Sequence, residues 1–230
     1  VTRDQLQALV RTIPDFPQPG VQFRDISTLL ADGLGFAASV KAMADIARPL
    51  QPDRIIAIDA RGFLFGAPVA VALGAGVIPA RKKGKLPGAT LGVDYDLEYG
   101  TDRLELHVGA VLPGHRALIV DDLIATGGTA MACVKLLRDA GAEVVGAVFA
   151  IDLPDLGGAD RLRAAGVTVE SLMSFGGAES FSAHERLGRP PLDQADRYDG
   201  HDNHVVLIEN SGARPERSEV RPAAGRRLVE

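Results

Sequence analysis

Disulfide chemistry is the first thing this chain lacks. Its 230 residues hold one cysteine, Cys133, so no covalent staple holds the fold. The thiol reads as a small apolar helix residue in a protein of a reducing compartment. No apolar run approaches the roughly 20 residues that a bilayer-crossing helix needs. The opening segment VTRDQLQALV shows no signal-peptide core, and the expectation is a cytoplasmic protein without a membrane partner. A basic excess is missing too. The formal net charge is −5, which removes the electrostatic case for a nucleic-acid partner. At the Gly-rich turn of residues 126–129 two common phosphate motifs are absent: no Lys-Ser/Thr follows, as a P-loop needs, and there is no G-x-G-x-x-G. Nor does any internal repeat organise the sequence.

What is present suits one α/β domain. Hydrophobic residues make up 46% and charged residues 24%, ordinary for a globular chain with a sizeable core. Short runs rich in β-branched residues fall at 54–58, 76–80, 116–120 and 143–151, with a fifth at 167–172. Their hydrophobicity is continuous rather than alternating, the mark of strands buried on both faces. Helical patterns of about a dozen residues lie between them, as right-handed βαβ crossovers require. Gly141 closes one such helix after KLLRDA. The predicted fold class is α/β: an open, mainly parallel twisted sheet over residues 30–175 with helices on both faces.

Two segments break that rhythm. Residues 82–107 place a Pro, four Gly and many charges between two core strands, and a connection this long is expected to be a functional lid or hairpin. Residues 180–230 hold four Pro, four Gly, nine acids and eight Arg against two aromatics. That composition predicts a largely disordered extension, with HVVLIE (204–209) as its one candidate strand.

The chemistry concentrates at LIVDDLIATGGTA, residues 118–130. In a doubly wound sheet, ligands bind beyond the carboxyl ends of the strands, and this stretch lies at such an end. Asp121 and Asp122 are costly to bury unpaired. Thr126, Gly127, Gly128 and Thr129 can aim backbone N–H groups at one point, backed by the positive end of the following helix, which makes an anion site. Two vicinal acids beside a phosphate cradle suggest a sugar phosphate. The carboxylates accept from ribose hydroxyls and stabilise positive charge developing at the anomeric carbon.

VDDLIATGGT resembles the phosphoribosyl pyrophosphate signature of type I phosphoribosyltransferases. Four further stretches resemble adenine phosphoribosyltransferases in order and spacing: FPQPGVQFRDIS (16–27), DARGFLFGAPVA (59–70), RKKGKLPG (81–88) and YDLEYGTDRLELH (95–107). The resemblance covers about residues 10–178. It implies one phosphoribosyltransferase domain over 1–179, with a small base-binding hood at 1–30 and a mobile catalytic loop at 82–107. By this resemblance Asp121 and Asp122 hold the ribose diol, and Ala125, Thr126, Gly127, Gly128 and Thr129 hold the 5′-phosphate. Arg61, Arg81, Lys82, Lys85 and Tyr99 gather around the pyrophosphate; a non-proline cis peptide is expected at Ala60–Arg61. Three of the five lysines of the chain lie at 82–85. Glu98 is the implied acid/base, exchanging a proton with the purine as the loop shuts, so that Glu98, Arg61, Asp121 and Asp122 form the catalytic set. The implied cofactor is Mg²⁺, bridging pyrophosphate and ribose oxygens with few direct protein ligands.

Base recognition falls by the same resemblance to Val21, Gln22, Phe23 and Arg24. Phe23 would stack on the purine, while backbone C=O and N–H groups meet the 6-amino group and N1 of adenine. A 6-oxo purine would leave that backbone unpaired. Gln22 departs from the family, which often has an apolar residue there, so only its backbone is expected to touch the base. The implied partners are adenine, phosphoribosyl pyrophosphate and AMP, with a second copy of the chain as a homodimer through the N-terminal region and the GFLFG helix. Two alternatives stay open: the same transfer to hypoxanthine or xanthine, and a regulator that senses phosphoribosyl pyrophosphate on this fold. The regulator would need a basic DNA-reading module that the sequence does not contain.

Overall fold

The computed structural model describes residues 1–97 and 100–176. The chain opens with α1 (Arg3–Ala8), β1 (Arg11–Pro14), β2 (Gln22–Asp25), α2 (Ser27–Ala31) and α3 (Gly33–Ala47). The sheet begins with β3 (Arg54–Ile58), α4 (Gly62–Leu73), β4 (Gly76–Lys82), β5 (Thr90–Leu97) and β6 (Gly100–His107). It continues through β7 (Arg116–Ile124), α5 (Gly128–Asp139), β8 (Glu143–Asp152), α6 (Gly158–Ala164) and β9 (Val169–Ser174). Seven strands lie in the order β5-β6-β4-β3-β7-β8-β9. The five strands β4, β3, β7, β8 and β9 run parallel, whereas the β5–β6 hairpin joins antiparallel at the β4 edge. The expected open, mainly parallel sheet is thus observed.

Successive side chains of a strand point to opposite faces, and here both faces are buried. Ile56, Ile58, Ile119 and Phe149 pack with Cys133, Leu136 and Leu137 of α5. Ile55, Leu118, Val120 and Val148 pack on the other side with Met43 of α3 and Phe65 of α4. That two-sided burial is why the strands read as unbroken apolar runs. Each fully buried Ile, Leu or Phe contributes about 1.5–3 kcal/mol relative to exposure.

Several strand boundaries differ from expectation, and three of the shifts follow from hydrogen bonding. β4 extends to Lys82 because Arg81 and Lys82 pair with Glu105 and Leu104 of β6. β7 runs on through both acids to Ile124, since Asp121, Leu123 and Ile124 pair with Phe149, Ile151 and Asp152. β9 starts at Val169 rather than 167, because the Val167 N–H is spent on Leu162 O at the end of α6. The segment 82–107 is a turn followed by the β5–β6 hairpin. Residues 180–230, with the candidate strand 204–209, lie outside the described residues.

The N-terminal segment folds as a separate two-stranded ribbon in which Arg11 pairs with Asp25 and Ile13 with Phe23. Its anchor is Asp25, 8% exposed. The carboxylate accepts from Ser27 N (2.9 Å) and Ser27 Oγ (2.6 Å), and from Arg11 Nη2 at 2.5 Å. The hydrogen bonds from Ser27, then that from Arg11, lower its pKa to about 2. The N-terminal segment is tied to β9 and the residue after it: Arg3 and Gln7 of α1 donate to the carbonyls of Ser171 and Ser174, and the Arg24 guanidinium of the ribbon lies 4.7 Å from the centroid of Phe175.

Candidate active site

At the carboxyl ends of β3 and β7 the sheet opens into a cavity of about 500 Å³. Its walls come from Ile58 to Arg61 after β3, from Asp121 to Ala130 at the end of β7, and from Lys82, Tyr95, Leu104 and Phe149. Of the expected residues, Arg61, Lys82, Asp121, Asp122, Ala125, Thr126, Gly127, Gly128 and Thr129 meet here. Arg81 stands behind the wall, its Nε donating to Asp59 Oδ2 at 3.0 Å. Lys85 lies on the exposed turn that follows β4. Val21, Gln22, Phe23 and Arg24 do not line this cavity: they sit on the ribbon, Gln22 exposed and Phe23 half-buried with its ring edge-to-face against Phe16 at 5.2 Å. Glu98 and Tyr99 lie outside the described residues. The expected cis bond is displaced by one residue, since the non-proline cis peptide is Asp59–Ala60.

The cradle follows from local geometry. Gly127 adopts φ +77° as the N-cap of α5, a left-handed conformation that costs little without a Cβ. That turn points the chain into the helix, whose first N–H groups have no intrahelical partner and favour an anion. The turn is braced from behind, where Gly158 N donates to Ala125 O at 2.9 Å. A Cβ on Gly158 would lie 2.2 Å from that oxygen and 2.7 Å from Gly127 N.

The two acids are held differently. Asp122, 4% exposed, accepts from Arg61 Nε at 2.5 Å. Asp121 Oδ1 accepts from Asp122 N at 2.8 Å. Burial, and then the neighbouring Asp122 charge, push the Asp121 carboxyl well above the ordinary carboxylate range. A site that keeps two adjacent carboxyls in this state is built for a ligand with hydroxyl donors or developing positive charge.

Comparison with known proteins agrees with this geometry. A phosphoribosyl transferase domain matches residues 26–178. Adenine phosphoribosyltransferase of Sphingopyxis alaskensis is 64% identical over 172 residues, spanning 75% of this chain and 94% of that protein. The chain belongs to the phosphoribosyltransferase family, among the adenine phosphoribosyltransferases. The crystal structure of the Thermoanaerobacter pseudethanolicus adenine phosphoribosyltransferase superposes with a TM-score of 0.72 at 46% identity, over 76% of this chain and 100% of that one. The Saccharomyces cerevisiae adenine phosphoribosyltransferase, complexed with an imino-altritol 1,6-bisphosphate and adenine, gives 0.70 at 33% identity, over 74% and 97%.

Three residues of this phosphoribosyltransferase site were not foreseen from sequence. Asp59 carries no signal beyond its place before ARGF, yet it holds Arg81. Tyr95 reads as an ordinary hairpin residue, but it lines the cavity. Gly158 lies thirty residues beyond the cradle it braces, and only the fold joins them.

Proposed function

We propose that this chain works in purine salvage, transferring the 5-phosphoribosyl group of phosphoribosyl pyrophosphate to N9 of adenine to give AMP and pyrophosphate. The observation that carries the reading is one cavity holding both the acid pair and the anion cradle. The cradle at 125–129 grips the 5′-phosphate, and Asp121 and Asp122 accept from the ribose hydroxyls. Held at both points, the anomeric carbon faces the open cavity. The bond to pyrophosphate breaks there as the purine nitrogen forms the new one, and the acid pair opposes the charge that builds on the ring. Arg61 exchanges Asp122 for the departing pyrophosphate, with Lys82, Arg81, Lys85 and Tyr99 adding charge and donors. Glu98 takes up the purine proton as the hairpin closes.

The base lies between the ribbon and the cavity, with Phe23 against its face and backbone groups of Val21 to Arg24 reading its edge. The rigid Arg11–Asp25–Ser27 clamp supports this role by fixing the strand that offers them. Mg²⁺ fits the donor set: two carboxylates border the cavity, one already engaged by Arg61, so the ion would be held chiefly by substrate oxygens and water, with Asp121 and Asp122 nearest. When bound, it neutralises pyrophosphate charge.

The protein pairs with a second copy of itself through α4. Leu64 and Val71, seven residues apart on that helix, are 44% and 83% exposed, an apolar stripe that a partner would cover. Among the described residues no helix is long and apolar enough to cross a membrane, and we place the enzyme in the cytoplasm.

An activity assay with Mg²⁺, phosphoribosyl pyrophosphate and each of adenine, hypoxanthine, guanine and xanthine tests the reading. Adenine should be converted and hypoxanthine scarcely. Equal turnover of the two refutes the base assignment, and turnover of none refutes the enzyme.

A further inference from the structure

Tyr95 is the cavity-lining residue to which neither the motif nor the acid pair gives a task. It sits on β5 directly opposite Asp102 of β6, half-buried against the cluster beneath α5. Its hydroxyl donates to Asp102 Oδ2 at 3.2 Å. Lys82 Nζ lies 3.5 Å from that same Oδ2. The second oxygen, Asp102 Oδ1, accepts from Arg103 N at 2.8 Å. A polar chain therefore runs from Tyr95 through Asp102 to Lys82. Tyr95 and Lys82 line the same cavity as Thr129 of the anion cradle.

We propose that Tyr95 is a positioning residue that fixes Lys82 for pyrophosphate by holding Asp102, the counter-charge of that lysine. The proposal rests on the assignment of the 5′-phosphate to residues 125–129 and of pyrophosphate to Lys82. A lysine side chain is long and flexible, and Lys82 is 56% exposed. Without an anchored counter-charge its ammonium would sample many positions. Asp102 supplies the counter-charge, and its own rotamer is set by three donors: Arg103 N, Lys82 and the Tyr95 hydroxyl. Remove the phenol and one restraint goes, so Lys82 loosens although it is not touched. The cradle responds differently. Its backbone at residues 125–129 takes no part in the Tyr95–Asp102–Lys82 chain, so a ligand held by its 5′-phosphate alone should be unaffected.

These consequences separate two ligands. For Tyr95→Phe with Mg²⁺, phosphoribosyl pyrophosphate should bind about three- to tenfold more weakly, the net worth of one side-chain hydrogen bond. AMP, which carries only the 5′-phosphate, should bind within twofold of wild type. Titration calorimetry of both ligands reads the difference, and a steady-state assay should show KM for phosphoribosyl pyrophosphate rising more than kcat falls. Asp102→Asn should reproduce the same split, and it decides the matter should the Phe variant fail to fold. In the double variant Tyr95→Phe with Lys82→Met, the loss should be no greater than for Lys82→Met alone, because both act through one ammonium. Equal weakening of AMP and phosphoribosyl pyrophosphate, additive losses, or no loss overturns the proposal. If Lys82→Met itself leaves binding of phosphoribosyl pyrophosphate unchanged, the pyrophosphate assignment fails. If Lys82→Met weakens binding and neither Tyr95→Phe nor Asp102→Asn does, only the polar chain fails.

Discussion

Replacing Gly158 by Ala tests whether the cradle depends on the brace behind it. The backbone of Gly158 does not require glycine, since it has no positive φ, so an added methyl acts through contact alone. That methyl would stand 2.2 Å from Ala125 O and 2.7 Å from Gly127 N, whereas real Cβ atoms keep beyond 3.0 Å. Reaching even that limit demands a relative shift of about 0.8 Å, and the Gly158 N–H bond to Ala125 O must lengthen with it. Hydrogen bonds weaken steeply over such a displacement. One bond from a backbone N–H to a charged phosphate is worth about 1.5–3 kcal/mol, so losing one lowers affinity about 10- to 150-fold. Calorimetric titration with ribose 5-phosphate and AMP should show that loss for both ligands, because both present the same phosphate. The neighbouring Gly157 is the control. It has φ +71° with nothing within 4 Å of an added Cβ, so Gly157→Ala strains the backbone by about 1–2 kcal/mol and lowers Tm without touching the cradle. Unchanged AMP affinity in Gly158→Ala, or an equal loss in Gly157→Ala, would refute the reasoning.

Asp121→Asn should raise Tm at pH 7 while activity drops sharply. The Asp121 carboxyl is held above the ordinary range, so its ionisation costs the folded state stability once the pH passes the unfolded value of about 3.9, and the gain in Tm should vanish below about pH 4. Asp25 carries the opposite sign. Its pKa is lowered to about 2, so its contribution is complete above the unfolded value and is lost as pH falls toward 2; Asp25→Asn should flatten the acid limb of a Tm–pH profile in that window. Glu98→Ala should lower kcat with little change in binding of phosphoribosyl pyrophosphate, as for a group acting mainly in the transition state, and an unaltered kcat when chemistry limits the rate removes Glu98 from the mechanism.

What could be read from the sequence was whatever is local in it. Ile55 to Ile58 and Leu118 to Val120 announce a sheet covered on both faces, because a strand with one wet face would have alternated. Gly127 announces the left-handed turn, because few other residues adopt it cheaply. The features that escaped depend on distance along the chain. Gly158 matters only because β8 returns beside β7, and Tyr95 only because β5 folds back across from Asp102. Strand ends shifted for the same reason: Val167 has a strand-forming side chain, but its N–H closes a helix.

Arg61 shows how the site lives with its own charge. The resemblance assigns this guanidinium to pyrophosphate, yet it sits on Asp122 at 2.5 Å. Two adjacent ionised carboxylates at a strand end would repel and pay for desolvation. Pairing Arg61 with Asp122 satisfies one of them, and the raised pKa of Asp121 records what is left unsatisfied. Proteins retain such local conflict where function needs it. In the proposed reaction, a ribose ring that brings hydroxyl donors to both carboxylates would ease the conflict and loosen the hold of Asp122 on Arg61. The arginine would then be free for the pyrophosphate of the same substrate.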